Sequence, residues 1–332
     1  MGNSKRYRWI LPATGIVLLL AEMLLSMCVG RYPVALSEVA DFLMGKQVDE
    51  TSWQILYYIR LPRTLVSVLV GMALSLSGTI YQSTFHNRLV SPDLLGVSSG
   101  SGVGACLAIL LGQGMAVTGT LAFVFGLAKV FLTLLLAKAF GRRSEMMLIF
   151  AGMATGGLMS SLVGLMKYLA DDERKLAEMT FWLLGDLSKT SFQDLFFVFP
   201  VVGFCIVLAL FLSWRLNILS LGEKEAGSLG LSYRLNFLLL ISIATILTAT
   251  AVSIAGTIGW VGLVIPNMAR LLAGNNNRKM MPAAILMGGI FMGVTDMLAR
   301  SLSPGEIPLG VVSGILGTPL FLITIYYRSK NI

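Results

Sequence analysis

Two arginines immediately before an apolar run have the clearest chemical potential in this sequence. Arg60 and Arg63 flank Leu61-Pro62, and the run that follows, 64–78, holds only apolar and small residues. A membrane helix that begins in this way carries fixed positive charge at its mouth. An anionic solute or an acidic surface of a partner protein could bind there.

Groups of the kind that enzymes use are scarce. His86 is the only histidine, which excludes a zinc site built from several histidines and a triad that needs a second one. The phosphate-loop pattern G-x-x-x-x-G-K-[ST] does not occur. The three cysteines, Cys28, Cys106 and Cys205, lie singly inside apolar runs, as small buried hydrophobes do. We therefore expect no enzyme activity, no metal and no cofactor in this chain, so that any ATP would be bound by another subunit.

Two ionisable residues, Glu22 and Lys129, stand inside apolar runs. Such residues are functional candidates by default, and an ion-coupled carrier would need groups of this kind. An ion-coupled carrier, however, would need a cluster of Asp, Glu or His, and one acid and one lysine are few groups for an ion pathway. Snorkelling to the interface, or a single interhelical pair, is the favoured alternative.

The segment 221–233 has a charged start, a small-residue centre and a Leu-Gly close. This pattern predicts a short helix that ends at Gly230 in a left-handed cap. A solvated connector and a helix that inserts into a groove of a partner explain the residues equally well.

The composition defines the elements that must position these residues. Of 332 residues, 56% are hydrophobic and 13% charged, with a mean hydropathy of +0.81, whereas soluble domains carry about 25% charged residues. The apolar runs are continuous, as in 195–212, which favours helices over the alternating strands of a barrel. The sequence predicts an all-α polytopic membrane protein with one domain over residues 1–332.

The apolar runs predict about ten transmembrane helices, with both termini on one side of the membrane. The third and eighth are short and rich in glycine. The predicted spans are about 9–29, 63–85, 93–111, 117–140, 146–168, 193–213, 235–256, 259–274, 281–300 and 308–327. Segments 63–168 and 235–328 hold similar numbers of spans, which suggests two pseudo-repeated halves.

Loop charge sets the orientation. The loops on one side hold many lysines and arginines and few acids, and by the positive-inside rule this side is cytoplasmic. This excess of lysine and arginine in the cytoplasmic loops explains the net charge of +8, so nucleic-acid binding is not needed to account for it. Arg60, Arg63 and Arg300 then face outward. Two outer segments have structure of their own: 31–62, with an aromatic stretch at headgroup depth, and 169–192, with an amphipathic helix.

Four motifs, in order and with their spacing, make the chain resemble the FecCD family of ABC importer permeases. The first motif begins with Arg60-Leu61-Pro62-Arg63 and continues through Gly71, Gly78, Gln82, Asn87 and Pro92 to Leu95-Gly96-Val97-Ser98-Ser99-Gly100. The second is Trp182 with Gly185 and Leu187, and the third runs from Leu221-Gly222-Glu223 to Leu229-Gly230. The fourth runs from Ala255-Gly256-Thr257-Ile258-Gly259-Trp260 to Pro266 and continues with Arg270, Pro282, Asp296, Arg300, Glu306-Ile307-Pro308-Leu309-Gly310 and Gly317-Thr318-Pro319-Leu320-Phe321.

The resemblance implies a multi-pass permease of the cell inner membrane, with membrane lipid around it. Its implied partners are a second permease copy or a paralogue, two ATP-binding cassette subunits and an extracytoplasmic substrate-binding protein. The implied cargo is an iron–siderophore complex, with cobalamin, haem or a small oxyanion such as molybdate as alternatives. An ion-coupled secondary transporter is the less favoured function.

The resemblance also implies three sets of site residues. Arg60, Arg63 and Arg300 would dock the binding protein, and segment 222–232 would be the cytoplasmic coupling helix in the ATPase groove. The third set, aligned more loosely, is a cytoplasmic gate. The coupling residues are Glu223, Glu225, Ala226, Gly227, Leu229 and Gly230, and the gate residues are Ser144, Glu145 and Met146.

The chain departs from the family pattern at two positions. Members usually have proline after the asparagine at 87 and histidine after Pro266, where this chain has Arg88 and Asn267. Both positions lie near the cytoplasmic side, so the departures bear on local loop geometry there.

Overall fold

A computed structural model of the chain describes residues 3–139 and 145–330. Within those ranges the regular structure is entirely helical, which confirms the predicted fold class. The α-helices are α1 Asn3–Cys28, α2 Leu36–Leu43, α3 Glu50–Gln54, α4 Leu61–Thr84, α5 Val97–Leu110, α6 Met115–Ala139, α7 Glu145–Tyr168, α8 Glu173–Leu184, α9 Phe192–Phe211, α10 Ser213–Leu219, α11 Glu223–Ser228, α12 Tyr233–Ala255, α13 Val261–Ala273, α14 Asn277–Ser301 and α15 Leu309–Lys330.

Each of the ten predicted spans overlaps one of these helices over most of its length. In the described residues, seven helical stretches are long and apolar enough to cross a membrane, those that contain α4, α6, α7, α9, α12, α14 and α15. The shorter apolar helices are Pro12–Cys28, Val97–Leu110 and Val261–Ala273, which match the first, third and eighth predicted spans. That these three also cross the membrane stays a prediction.

Helix α4 lies at the centre of the bundle, where α12, α13 and α14 pack against it. Two glycines permit this close approach, since a Cβ at Gly71 would overlap the carbonyl of Gly288, and one at Gly78 would overlap Gly262. Small residues allow helix backbones to pack closely in a membrane, where the hydrophobic effect gives little drive for association. These two glycines therefore let α4 pack directly against the backbones of α13 and α14.

The outer segment before α4 is continuous with it. The α-helix α3 begins after Asp49, whose side chain caps two backbone N–H groups, and a π-helical stretch, Ile55–Arg60, joins it directly to α4. The resulting helical stretch, Glu50–Thr84, has 35 residues. Trp53 and Tyr57 stack on its outer part with ring centroids 4.9 Å apart. The predicted aromatic interfacial segment is thus an extension of the span.

The second outer segment contains the predicted amphipathic helix, α8. Asp172 caps its first turn by accepting from the N–H of Arg174. At its other end, Gly185 has a positive φ of 85° and its carbonyl accepts from the N–H of Leu309, 3.0 Å away. The N–H of Asp186 donates to the carbonyl of Ala255 at 2.9 Å. Helix α8 is therefore tied to the outer ends of α12 and α15.

Candidate functional site

The outer ends of α4 and α14 meet in a buried ionic cluster built around Arg63. Its guanidinium donates to Asp296 through Nε at 2.9 Å and lies 2.8 Å from it through Nη2. The same group donates to both carboxylate oxygens of Glu306, at 3.3 and 3.0 Å. Arg63 is 4% exposed and Asp296 is fully buried. Burying charged groups is costly, and only close, hydrogen-bonded ion pairs such as these offset that cost.

Arg300 joins this cluster through Asp296, and both Arg300 and Arg60 bind the C-terminal end of α1. Arg60 donates to the backbone carbonyls of Met27 and Tyr32. Arg300 donates to the carbonyl and the hydroxyl of Ser26, at 2.6 and 2.5 Å, and its Nε lies 3.5 Å from Asp296. The two arginines are 3% and 5% exposed. Both thus hold the end of α1 against the bundle, and Arg60 also holds the loop that follows it.

The three arginines predicted to dock a binding protein are therefore together, but their side chains are buried within this chain. A docked carboxylate could reach them only if an internal partner moved aside. The groups at the rim are Arg31, with a side chain 55% exposed, and Glu306, 23% exposed, which lie 3.6 Å apart. Direct docking by Arg60, Arg63 and Arg300 stays a prediction.

Glu306 occupies an unusual backbone conformation in the loop between α14 and α15. Its φ is 53°, in the left-handed region where a non-glycine residue is uncommon. The ion pairs with Arg63 and Arg31 hold its side chain there. Strain of this kind persists only where the surrounding structure over-determines it. The sequence shows the acid but gives no signal of its backbone conformation.

The two ionisable residues of the apolar runs are buried in different environments. Lys129 does not snorkel: its Nζ donates to the carbonyls of Leu95 and Gly152, at 2.6 and 3.2 Å, and so joins three elements. Glu22 is 5% exposed, rests against Gly293 of α14 and has no hydrogen-bond partner in the described residues. Neither residue belongs to a group that could hold a metal, as far as the described part of the chain shows.

On the cytoplasmic side, the segment 222–232 forms the predicted short helix, α11. Gly222 and Gly230 flank it with φ values of 110° and 76°, which confirms the left-handed cap at Gly230. Ala226 is buried, whereas Leu229 is 60% exposed at the end of the helix. The helix thus presents an apolar side chain to the cytoplasm, as a helix that inserts into a partner's groove would.

Helix α10 connects this segment to the bundle. The Asn217 side chain donates to the Asn276 side chain at 3.0 Å and accepts from the N–H of Asn277 at 2.8 Å. His86, at the end of α4, is 3.1 Å from the carbonyl of Leu219. The ends of α4 and α14 nearest α11 therefore contact α10, while their other ends form the arginine cluster.

The predicted gate residues, 144–146, lie at the edge of the described part of the chain. Ser144 lies outside the described residues, and Glu145 is the first residue of α7, with nothing described of its side chain. Met146 is exposed on the first turn of that helix. The gate stays a prediction.

The two departures from the family pattern lie in contact with each other. The Asn267 side chain donates to the carbonyl of Arg88 at 3.0 Å and to the carbonyl of Leu263, one helical turn earlier, at 2.8 Å. Arg88 in turn donates to the Asn275 side chain at 3.3 Å. The side-chain amide of Asn267 thus holds the loop that carries Arg88 against α13 by a hydrogen bond.

The described residues form a helical membrane bundle with a buried charged cluster at the outer ends of its central helices and an exposed short helix near their cytoplasmic ends, an arrangement that suits a transport permease. Comparison with known proteins specifies which kind: the chain belongs to the FecCD transport family, which matches residues 18–327. It is a multi-pass cell-membrane permease of the ABC importer type.

Three relatives and one solved structure illustrate the similarity. The molybdate import system permease protein MolB of Haemophilus influenzae is 39% identical over 95% of both chains. An iron chelatin transport system permease protein of Helicobacter pylori is 36% identical over 90% of both. The vitamin B12 import permease BtuC of Salmonella typhi is 36% identical over 96% of this chain and 95% of that one. A metal-chelate type ABC transporter solved in an inward-facing conformation is 38% identical, covers 95% of this chain and 98% of its own, and superposes with a TM-score of 0.85.

Proposed function

We propose that this chain is the membrane-spanning subunit of an importer driven by ATP that separate subunits hydrolyse. The observation that carries the proposal is that α4 and α14 run from an outer charged cluster to α10, which adjoins an exposed cytoplasmic helix. Rigid helices that end at two partner surfaces can transmit a displacement between them. The chain itself lacks a phosphate loop, so the nucleotide belongs to a partner.

The cytoplasmic partner binds at 222–232. Helix α11 exposes Leu229 while Ala226 anchors it, so a groove on the ATPase can cover the leucine without disturbing the bundle. Motion of that groove on ATP binding displaces α11 and, through the Asn217 contacts, the start of α14.

The outer partner is a soluble binding protein that docks on the face around Arg60, Arg63 and Arg300. Because these side chains are buried, the first contact of an acidic patch is with exposed Arg31, and Arg63 becomes available only as Glu306 is displaced. A second copy of this chain, or a paralogue, completes the path. The weakly buried helices α7 and α15 leave apolar surface for it.

The cargo is an iron–siderophore complex or a small oxyanion such as molybdate. The relative named for molybdate import and the one named for iron chelatin are nearly equally similar to this chain, at 39% and 36% identity, so both remain candidates. Cobalamin and haem are the further alternatives.

Transport in proteoliposomes tests the proposal. The chain is reconstituted with its ATPase and binding-protein partners, and uptake of radioactive molybdate and of iron–siderophore is measured with ATP inside. We expect uptake of one cargo that requires both partners and ATP and that an uncoupler leaves unchanged. Uptake by the chain alone, abolished by an uncoupler, would show instead an ion-coupled carrier.

A further inference from the structure

A large cavity lies at the outer ends of α6 and α9, beneath α8, apart from the arginine cluster and the coupling helix. Its volume is about 770 Å³, which is within the range of pockets that hold small molecules. Helix α8 covers it with a single face, residues 174, 177, 178, 181 and 182, at the spacing of successive helical turns. No function described above uses this cavity.

The basic groups of the cavity have unused hydrogen-bonding capacity. Among the described residues, the guanidinium of Arg174 has neither a hydrogen bond nor an ion pair. Lys189 has only one ionic neighbour, Glu178, at 3.9 Å, and both of those side chains are well exposed. An exposed pair at that distance contributes little. Two cationic side chains with five and three donors thus line the cavity without strong partners.

The acidic groups differ, because their neighbours already satisfy two of them. Asp186 accepts from the N–H and the hydroxyl of Ser188, at 2.7 and 2.6 Å. Asp194 accepts from the N–H and the hydroxyl of Ser191, at 2.8 and 2.9 Å. Among these acids, only Glu178 lacks a close hydrogen-bond donor in the described residues. The free donors of Arg174 and Lys189 therefore suit the oxygens of a phosphate group, and the acidic lining, Glu178 above all, suits an ammonium beside it.

The lower part of the cavity is apolar and adjoins surface of the kind that faces lipid. Phe123 of α6 and Phe197 of α9 form its floor, in an edge-to-face pair with centroids 6.0 Å apart. Phe196 beside them and Phe181 on α8 are exposed, at 76% and 56%. Because α6 and α9 are long apolar spans, the cavity lies at headgroup depth, with charge above and aromatic surface below.

We propose that this cavity binds a phospholipid of the outer leaflet. Arg174 and Lys189 bind the phosphate, Glu178 accepts from the ammonium of an ethanolamine headgroup, and the acyl chains descend over the α6–α9 surface. A soluble phosphate compound would leave the aromatic floor unused, so the lipid is the better occupant. Because α8 joins the outer ends of α12 and α15, a bound lipid would hold that connection in place.

Photo-labelling of the purified full-length chain tests the site without reference to transport. The probe is a phosphatidylethanolamine with a diazirine in the upper acyl chain, and labelled peptides are mapped by mass spectrometry. We expect labelling in α6, α8 and α9, with competition by unlabelled phosphatidylethanolamine. Weaker competition by phosphatidylglycerol would support the role of Glu178, while equal competition would refute it.

Two variants and a matched control make the test specific. Arg174→Gln with Lys189→Gln should lower labelling about tenfold, as expected for the loss of charge-assisted hydrogen bonds. Lys46→Gln with Lys167→Gln removes the same charge from the same side, outside the cavity, and should leave labelling unchanged. Thr120→Trp keeps every charge and places a bulky ring in the cavity beside Phe123, so it should also lower labelling.

Three results would overturn the proposal. They are equal labelling of the Arg174–Lys189 variant and its control, full competition by inorganic phosphate or soluble glycerophosphoethanolamine, and labelling that Thr120→Trp does not lower. Thermal unfolding of each variant identifies misfolding, and Thr120→Trp decides the outcome if the charge variant does not fold. The hydroxyl of Thr120 bonds only to its own helix, at Ala116, so its loss breaks no tertiary contact.

Discussion

Replacing Arg63 by methionine should destabilise this protein far more than an ordinary surface substitution would. The guanidinium lies 2.8 Å from the carboxylate of Asp296, which is fully buried. Methionine fills much of the same volume but leaves that carboxylate with Arg300 alone, at 3.5 Å. Breaking a buried pair by removing one partner costs about 3–5 kcal/mol, because the remaining charge is uncompensated.

The assay is thermal unfolding of the detergent-purified chain. At about 2 °C per kcal/mol for a chain of this size, Arg63→Met should lower the Tm by roughly 6–10 °C. Arg31→Met is the matched control, since Arg31 is half-exposed and lies 3.6 Å from Glu306; it should cost at most about 1 kcal/mol.

A second substitution separates a stranded charge from lost packing. Asp296→Asn, added to Arg63→Met, removes the unpaired charge and should restore part of the lost Tm, so the two effects are not additive. Equal Tm shifts for Arg63→Met and Arg31→Met would refute the reasoning. A double variant less stable than Arg63→Met by the full cost of Asp296→Asn alone would show that the two side chains do not interact.

Three further predictions concern the helix contacts and the coupling helix. Gly71→Ala should cost about 1–3 kcal/mol in thermal unfolding by forcing two backbones apart, whereas Gly203→Ala, where a Cβ meets nothing, should be neutral or stabilise by up to about 1 kcal/mol; equal effects would contradict the close packing. Leu229→Asp should release the ATPase during purification, and Leu302→Asp, an equally exposed leucine on the outer side, should retain it; retention by both would remove the coupling assignment. Lys129→Met should lower stability by about 1–3 kcal/mol, because it removes the bonds that the buried ammonium donates to the carbonyls of Leu95 and Gly152, and it should leave uptake insensitive to an uncoupler; unchanged stability would contradict the contacts of Lys129.

Several features could be predicted from the sequence because they depend on residues close together in the chain. Continuous apolar runs mark the membrane helices, since a backbone in lipid must satisfy its own hydrogen bonds. The short helix before Gly230 follows from local capping, because its left-handed φ of 76° is readily adopted by glycine. The motifs between residues 60 and 321 were sufficient to indicate the family, which matches residues 18–327.

The environment of each charge, by contrast, was decided by the tertiary structure. Loop charge places Arg63 at the outer end of a helix, but its partners, Asp296 and Glu306, are 233 and 243 residues away in the chain. The sequence also left open whether Lys129 snorkels, and only the tertiary structure brings the carbonyls of Leu95, in the turn before α5, and Gly152, in α7, within reach of its ammonium. Hydropathy is a local property of the chain, whereas ion pairing depends on which helices become neighbours. The sequence by itself therefore determined a membrane permease with charge at its outer mouth, and the fold decided that this charge is buried and paired within the chain.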